Sequence, residues 1–213
     1  MPSTVPHSPA AERNKAPILA QLQRLLPASG RLLEIAAGTG QHAAHCAAGL
    51  PGWAWQPTDP DAAALQAIRA WSASAANPRL LPPLQLDVLA QPWPVCAPAG
   101  GPAAWRWDAV FCANLLHIAP WACCAALMQG AASALTPQGL LITYGPYKVD
   151  GEALAPGNLA FDADLRARNP AWGLRWLHEV DAQAQAAGLQ RQGRFEMPAN
   201  NQLLVFGHKP AAV

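Results

Sequence analysis

Apolar positions along the chain follow two periods. Ile18, Leu19, Leu22, Leu25 and Leu26 recur at three and four residues, the spacing of one helical face. They predict a helix over Pro17–Leu26, ended by Pro27–Gly30, with residues 1–12 as a flexible arm before it. Arg31–Ala36 is a short apolar run of strand length that enters a glycine turn. The alanine-rich Gln41–Leu50 is helical up to Pro51-Gly52, and Trp53–Thr58 is a second strand ending at Asp59. Pro60 suits the first turn of a helix running to about Ser74, with Leu65, Ile68 and Trp71 on one face. A third strand, Leu80–Val88, is interrupted by Pro82-Pro83 and carries Asp87 at its end. Leu89–Pro102 is rich in proline and glycine and reads as a loop.

The second half repeats the rhythm. Trp107–Ala113 is a strand ending at Asn114, Trp121–Leu135 a helix, and Thr136–Gly139 a turn into the strand Leu140–Tyr144. After a loop over Gly145–Asn158 come a short helix, Asp162–Arg168, and a longer one, Trp172–Ala187, stopped by Gly188. Leu189–Met197 and Gln202–Lys209 are the last strands. Alternating strands and helices predict a mostly parallel seven-stranded α/β sheet, Rossmann-like, with helices on both faces. The closing strands are too close in sequence for a crossover of about a dozen residues, so they form an antiparallel hairpin. Neither an internal repeat nor a composition break marks a second domain, and residues 1–213 read as one.

Composition narrows the class. Hydrophobic residues make up 52% and charged residues only 13%, but 47 of the 213 residues are alanine, so the larger apolar side chains are at ordinary globular levels. No run approaches the 18 or so apolar residues of a membrane-spanning helix. Net charge is +1 with no lysine or arginine run, which argues against nucleic acid and an anionic membrane and for a small-molecule partner. Cys46, Cys96, Cys112, Cys123 and Cys124 show no Cys-x-x-Cys spacing, so no metal site is expected. The N-terminus has no apolar signal core, and the thiols read as reduced, buried cytoplasmic cysteines.

The chemistry gathers at strand ends. Glycines let backbone run against a ligand, and the helix start after Gly40 offers unpaired N–H groups. Gly38-x-Gly40-x-x-Ala43 also satisfies the dinucleotide pattern, so the glycines alone do not discriminate. Glu34, four residues before Gly38, does. A carboxylate there stays ionised if it faces a cation or backbone donors. S-adenosylmethionine offers an α-amino group and a sulfonium, whereas a dinucleotide offers no cation. Asp59, 19 residues after Gly40, suits hydrogen bonds to both ribose hydroxyls. Asp61 reads instead as a helix N-terminal charge. Asp87 is placed to accept from the adenine amine, or is an ordinary turn residue.

These positions, with the strand end Asn114–His117, resemble class I S-adenosylmethionine-dependent methyltransferases. A closer resemblance is to the methyltransferase-like domain of unknown function 938, the family of methyltransferase-like protein 26. It is carried by Ser8–Lys15 (SPAAERNK), Glu34–His42 (EIAAGTGQH), Trp55–Asp59 (WQPTD), His117–Trp121 (HIAPW), Tyr144–Tyr147 (YGPY), Arg168–Gly173 (RNPAWG) and Met197–Asn201 (MPANN), nearly the whole chain. The stretch Pro92–Trp107 is longer than the resemblance leads one to expect. The resemblance implies the class I methyltransferase fold and S-adenosylmethionine as cofactor, and no particular substrate. The cofactor-binding candidates are Glu34, Ala36, Gly38, Thr39, Gly40, Asp59, Asp87, Val88 and Asn114.

Methyl transfer is an in-line displacement in which positioning supplies most of the acceleration. His117 is either a general base with a near-neutral pKa or a packed residue at a helix start. Tyr144 and Tyr147, the only two tyrosines, either orient a substrate or pack. Arg166 either clamps an anionic group of the acceptor or pairs four residues back with Asp162; Arg168 has the same choice with Asp164. Asn158 falls in the same polar and aromatic stretch, and Asn200 lies in the closing hairpin. Arg13 and Asn14 are either a solvated charge run or part of a lid over the cofactor. The expected activity is methylation of a small, anionic metabolite by a monomer or homodimer. The alternatives are a non-catalytic cofactor-binding protein, a protein methyltransferase and a nicotinamide-dependent oxidoreductase.

Overall fold

The computed structural model describes residues 6–93 and 106–209. Nine strands and six α-helices occur among them. Seven strands form one sheet in the order β3-β2-β1-β4-β5-β9-β8: β3 Leu84–Gln85, β2 Trp53–Asp59, β1 Gly30–Ile35, β4 Trp107–Ala113, β5 Leu135–Gly145, β9 Asn201–His208 and β8 Leu189–Met197. β1 runs parallel to β2 and β2 to β3, while β9 is antiparallel to both β5 and β8. The expected α/β sheet with its closing hairpin is present.

The described residues divide into two compact units. The first holds the described residues up to Asp87 together with Trp107–Phe111. Its helices are α1 Pro9–Leu25, α2 Gln41–Gly49 and α3 Ala62–Ala75. Its core joins Leu32, Leu33, Ile35, Trp53, Trp55, Ile68 and Phe111, all fully buried, with Trp55 meeting the Phe111 ring edge-on at 5.9 Å. The second unit holds α4 Ala122–Ala134, α5 Pro156–Arg168 and α6 Leu177–Ala186. α4 packs on α6, and Leu127, Met128, Ile142, Leu203, Leu204 and Phe206 are buried in its core. In this unit β6 Tyr147–Lys148 pairs with β7 Arg175–Trp176 as a separate ribbon.

Four boundaries differ from the sequence reading, each for a local reason. The flexible arm is folded from Pro9 onward: Ser8 caps α1 by accepting the Ala11 amide at 3.3 Å, and Pro17 sits inside the helix instead of starting it. One hydrogen bond lost at Pro17 is offset by the burial of Ala11, Ile18 and Leu22 on one face. The third strand shrinks to two residues because Pro82 and Pro83 donate no ladder bonds; Leu80 keeps only an isolated bridge to Trp55. β5 takes in the expected turn Thr136–Gly139, since the fixed φ of Pro137 suits extended chain. The helix expected from Trp172 starts at Leu177, because Gly173 adopts φ +137, a conformation only glycine enters easily. Most of the Pro92–Trp107 stretch, and Cys96, lie outside the described residues.

Candidate functional site

In the first unit the site is a turn fastened by one carboxylate. Leaving β1, Ala36 (φ +55), Gly38 (φ +57) and Gly40 (φ +83) are all left-handed. The turn closes through Gly40 N–H donating to the Ala37 carbonyl at 3.0 Å, and the Ala37 amide donates to Thr58 on β2 at 2.9 Å. The Asp59 carboxylate then accepts the Gly38 amide at 2.9 Å on one oxygen and the Asp61 amide at 3.0 Å on the other. Asp59 is 7% exposed, and burial pushes its pKa up against these two donors. The two glycines serve different ends. A Cβ on Gly40 would stand 2.9 Å from the Ile68 Cα, so close packing against α3 demands glycine there. A Cβ on Gly38 would meet nothing within 4 Å, so the turn presents an open face at the residue Asp59 holds. Asp61 caps α3 by accepting the Ala63 amide at 3.2 Å, as its position suggested.

Glu34 lies one turn of chain behind, 1% exposed, with one oxygen accepting the Trp55 indole N–H at 2.7 Å. Among the described residues it faces no cation and no backbone donor. Burial, aided by the charge of Asp59 and opposed by the indole, moves its pKa up to about 8. In the free chain Glu34 is therefore mostly protonated at neutral pH, the facing cation or backbone donors that would keep it ionised not being met among the described residues. Thr39 donates to Gln41 at 3.2 Å, and Asp87 is exposed two residues beyond β3.

The start of α1 is tied to the start of α2. The Ser8 amide donates to the Gln41 side chain, whose own amide donates to Glu12 at 3.3 Å. Asn14 meets the buried His42 ring nitrogen at 2.6 Å. His42 is desolvated and its pKa falls to about 4. Of the expected pair, Asn14 thus belongs to the helix contact and Arg13 is exposed.

In the second unit Val88 is buried, and its carbonyl accepts from Trp93 and Gln91, both at 3.1 Å. Asn114 follows β4 in a left-handed conformation, φ +62, its amide bound to the Tyr144 carbonyl at 2.8 Å. His117 is 6% exposed, edge-on to Phe161 at 5.5 Å, and its carbonyl accepts the Gly173 amide. Burial and the Arg175 charge lower its pKa to about 4, not the near-neutral value expected, so it is a neutral ring and a weak base. Tyr144 and Tyr147 are both buried; the Tyr147 hydroxyl bonds Thr143 at 2.9 Å, and burial holds its pKa well above the ordinary value. Arg166 pairs with Asp162 at 3.2 Å and Arg168 with Asp164 at 3.7 Å. Asp162 also holds Lys148 at 2.6 Å and the Leu174 amide at 2.7 Å, so Arg166 belongs to a local ionic knot.

Asn158, Asn200 and Tyr147 do come together, around an open cleft of about 240 Å³ within this unit. Asn158 donates to the Asn200 carbonyl at 3.1 Å across it. Sequence reasoning missed two arginines. Arg175 donates to the carbonyls of Leu116, Ala119 and Ala171 at 2.9, 2.7 and 2.8 Å, fixing the chain around His117. Arg194 reaches the cleft from β8. Neither lies in a motif.

Solved structures share this fold. Mitomycin 7-O-methyltransferase MmcR matches with a TM-score of 0.77 and 14% identity over 94% of this chain and 54% of its own. A methyltransferase of calicheamicin biosynthesis, in its SAH-bound form, matches with 0.73 and 16% identity over 94% and 55%. An O-methyltransferase family 2 protein from Planctomyces limnophilus, in complex with apigenin, matches with 0.76 and 17% identity over 94% and 60%. The chain thus spans little more than half the length of the structures it resembles, and at these identities the likeness is one of fold. A sequence profile described as "Protein of unknown function (DUF938)" matches residues 5–208. The chain belongs to that family.

Proposed function

We propose that the chain binds S-adenosylmethionine and transfers its methyl group to a small metabolite carrying an anionic group, by in-line displacement. The observation that carries the reading is Asp59: a buried carboxylate, fixed by two backbone amides, at the open face of Gly38. Each of its oxygens keeps a lone pair for a ribose hydroxyl. Glu34, Ala36, Thr39 and Gly40 complete the cofactor set of this proposal in the first unit, with Asp87 toward the adenine. When bound, the cofactor supplies an electrophilic methyl group on a sulfonium.

The chain's own residues bind and orient. A pKa of about 4 makes His117 a poor proton acceptor at neutral pH, which favours positioning over general-base catalysis. The buried thiols of Cys46 and Cys124 fit the cytoplasmic setting of this proposal. Within its family we group the chain with methyltransferase-like protein 26, on the motifs quoted above.

The test is calorimetry with S-adenosylhomocysteine, followed by a labelled-methyl transfer screen against a metabolite extract. Asp59→Ala should weaken cofactor binding roughly ten- to hundredfold, the value of a charged hydrogen-bond acceptor. Unchanged affinity rejects the assignment. Thermal stabilisation by a nicotinamide dinucleotide and not by S-adenosylmethionine would replace the reading with oxidoreduction; cofactor binding without any acceptor would leave a binding protein.

A further inference from the structure

The cleft of the second unit contains a carboxylate site that the chain fills with its own side chain. Arg194 is anchored from behind: its Nε donates at 2.9 Å to the side-chain oxygen of Gln202, which is buried. Its two terminal nitrogens point the other way and meet the two oxygens of Glu152, each at 2.7 Å. That is the bidentate geometry in which a guanidinium recognises a carboxylate. The two partners are unequally held. The Arg194 side chain is 24% exposed, whereas Glu152 is 53% exposed, on the loop between β6 and α5 next to Gly151 at φ +76.

Other arginines of this unit are committed to the fold. Arg191 grips Asp181 on α6 with two bonds of 2.9 and 3.0 Å, Arg166 joins the Asp162 knot, and Arg175 holds three carbonyls. Arg194 alone among these four borders the cleft where Tyr147, Asn158 and Asn200 meet.

We propose that this cleft binds a small molecule through a single carboxylate group, which displaces Glu152 from Arg194 while Gln202 keeps the guanidinium in place. Charge selects the ligand class. The lining carries Glu152 and Glu196 against Arg194, so a monocarboxylate exchanging with Glu152 preserves the balance at Arg194, while a phosphate dianion adds repulsion. Size agrees: about 240 Å³ is below the roughly 300–1,000 Å³ of pockets for drug-sized ligands. As a carboxylate site the cleft stands apart from the function proposed above.

The experiment titrates the full chain with propionate, and separately with inorganic phosphate, following the backbone amide resonances of residues 193–202. Propionate should shift them and bind more tightly than phosphate. Glu152→Ala removes the internal competitor and should tighten propionate binding roughly two- to fivefold, the worth of an exposed ion pair. Arg194→Lys keeps the charge but loses the fork and should weaken it at least fivefold. Unchanged or weaker binding in Glu152→Ala, undiminished binding in Arg194→Lys, or tighter phosphate binding overturns the proposal. Should Arg194→Lys not fold, Glu152→Ala decides alone. S-adenosylhomocysteine affinity is measured on the same samples: failure of the wild type to bind it would defeat the proposed function and leave the propionate result standing.

Discussion

Replacing Glu34 by glutamine isolates one buried proton. In the folded chain the carboxyl titrates at about 8, against an ordinary value of 4.5. A raised carboxyl pKa means that the folded state holds a proton the unfolded state has released. Stability from this group is complete below pH 4.5 and is lost as pH rises through 8. The buried histidines act in the opposite sense. His42 and His117 have pKa values depressed from 6.5 to about 4, so their stability is present above pH 6.5 and lost as pH falls toward 4. The two tendencies meet near pH 6.5, where the free protein should be most stable, and between pH 6.5 and 8 Glu34 is the dominant slope.

Integrating the linkage relation for one group moving from 4.5 to 8 gives a loss of about 1.5 kcal/mol between pH 6.5 and pH 8. Urea unfolding followed by tryptophan fluorescence resolves such a change, since Trp53 and Trp55 are buried in the same core. Glu34→Gln keeps an oxygen to accept the Trp55 indole N–H and has no proton to lose. Its stability should be flat over that window while the wild type declines. A decline of equal slope in the variant refutes the assignment of the proton to Glu34. On the proposed function, a cationic cofactor group near Glu34 releases nearly one proton from the wild type at pH 7 and none from the variant. Calorimetry in buffers of different ionisation enthalpy reads that difference directly.

The two glycines of the turn should separate in denaturant titrations. Gly40→Ala meets the Ile68 backbone at 2.9 Å in addition to its left-handed strain and should cost about 2–4 kcal/mol. Gly38→Ala carries the strain alone, about 1–2 kcal/mol, and equal losses would mean that close packing on α3 is not what requires Gly40. Arg175→Ala leaves the Leu116, Ala119 and Ala171 carbonyls without their shared donor and should destabilise the chain by about 2–3 kcal/mol, with Arg175→Lys in between. A neutral result by thermal unfolding would show that water replaces the guanidinium.

The parts of the fold that were legible are those where periodicity and punctuation agree. β1 and β2 are buried runs bounded by glycine, proline or an acid, β4 is a buried run that ends at Asn114, and the closing hairpin follows from the short link after Met197. Legibility failed where a proline or glycine could be read two ways. Pro17 looks like a helix start, yet α1 runs through it because Ser8 caps the chain two turns earlier and the face of Ala11, Ile18 and Leu22 is continuous. Nothing in the order of residues 172–177 announces that Gly173 lies under the Arg166–Asp162 pair, so the helix expected from Trp172 was cut short by a tertiary contact.

Charge in the candidate site divides along the same line. The position of Asp59 was legible because it is local: it ends a strand beside the turn it fastens, and sequence distance stands in for spatial distance. Arginines were not, because spacing within a helix finds only neighbours three or four residues away. It made Arg166 a candidate clamp while also naming Asp162 as its partner, and the nearer partner won. Arg194 depends on Gln202 across the hairpin and on Glu152, 42 positions away in sequence, so no local pattern registers it. A cation that must bind a ligand cannot be consumed by a fixed neighbour. The arginine whose paired carboxylate sits on an exposed loop is therefore a better candidate than those whose partners are built into helices.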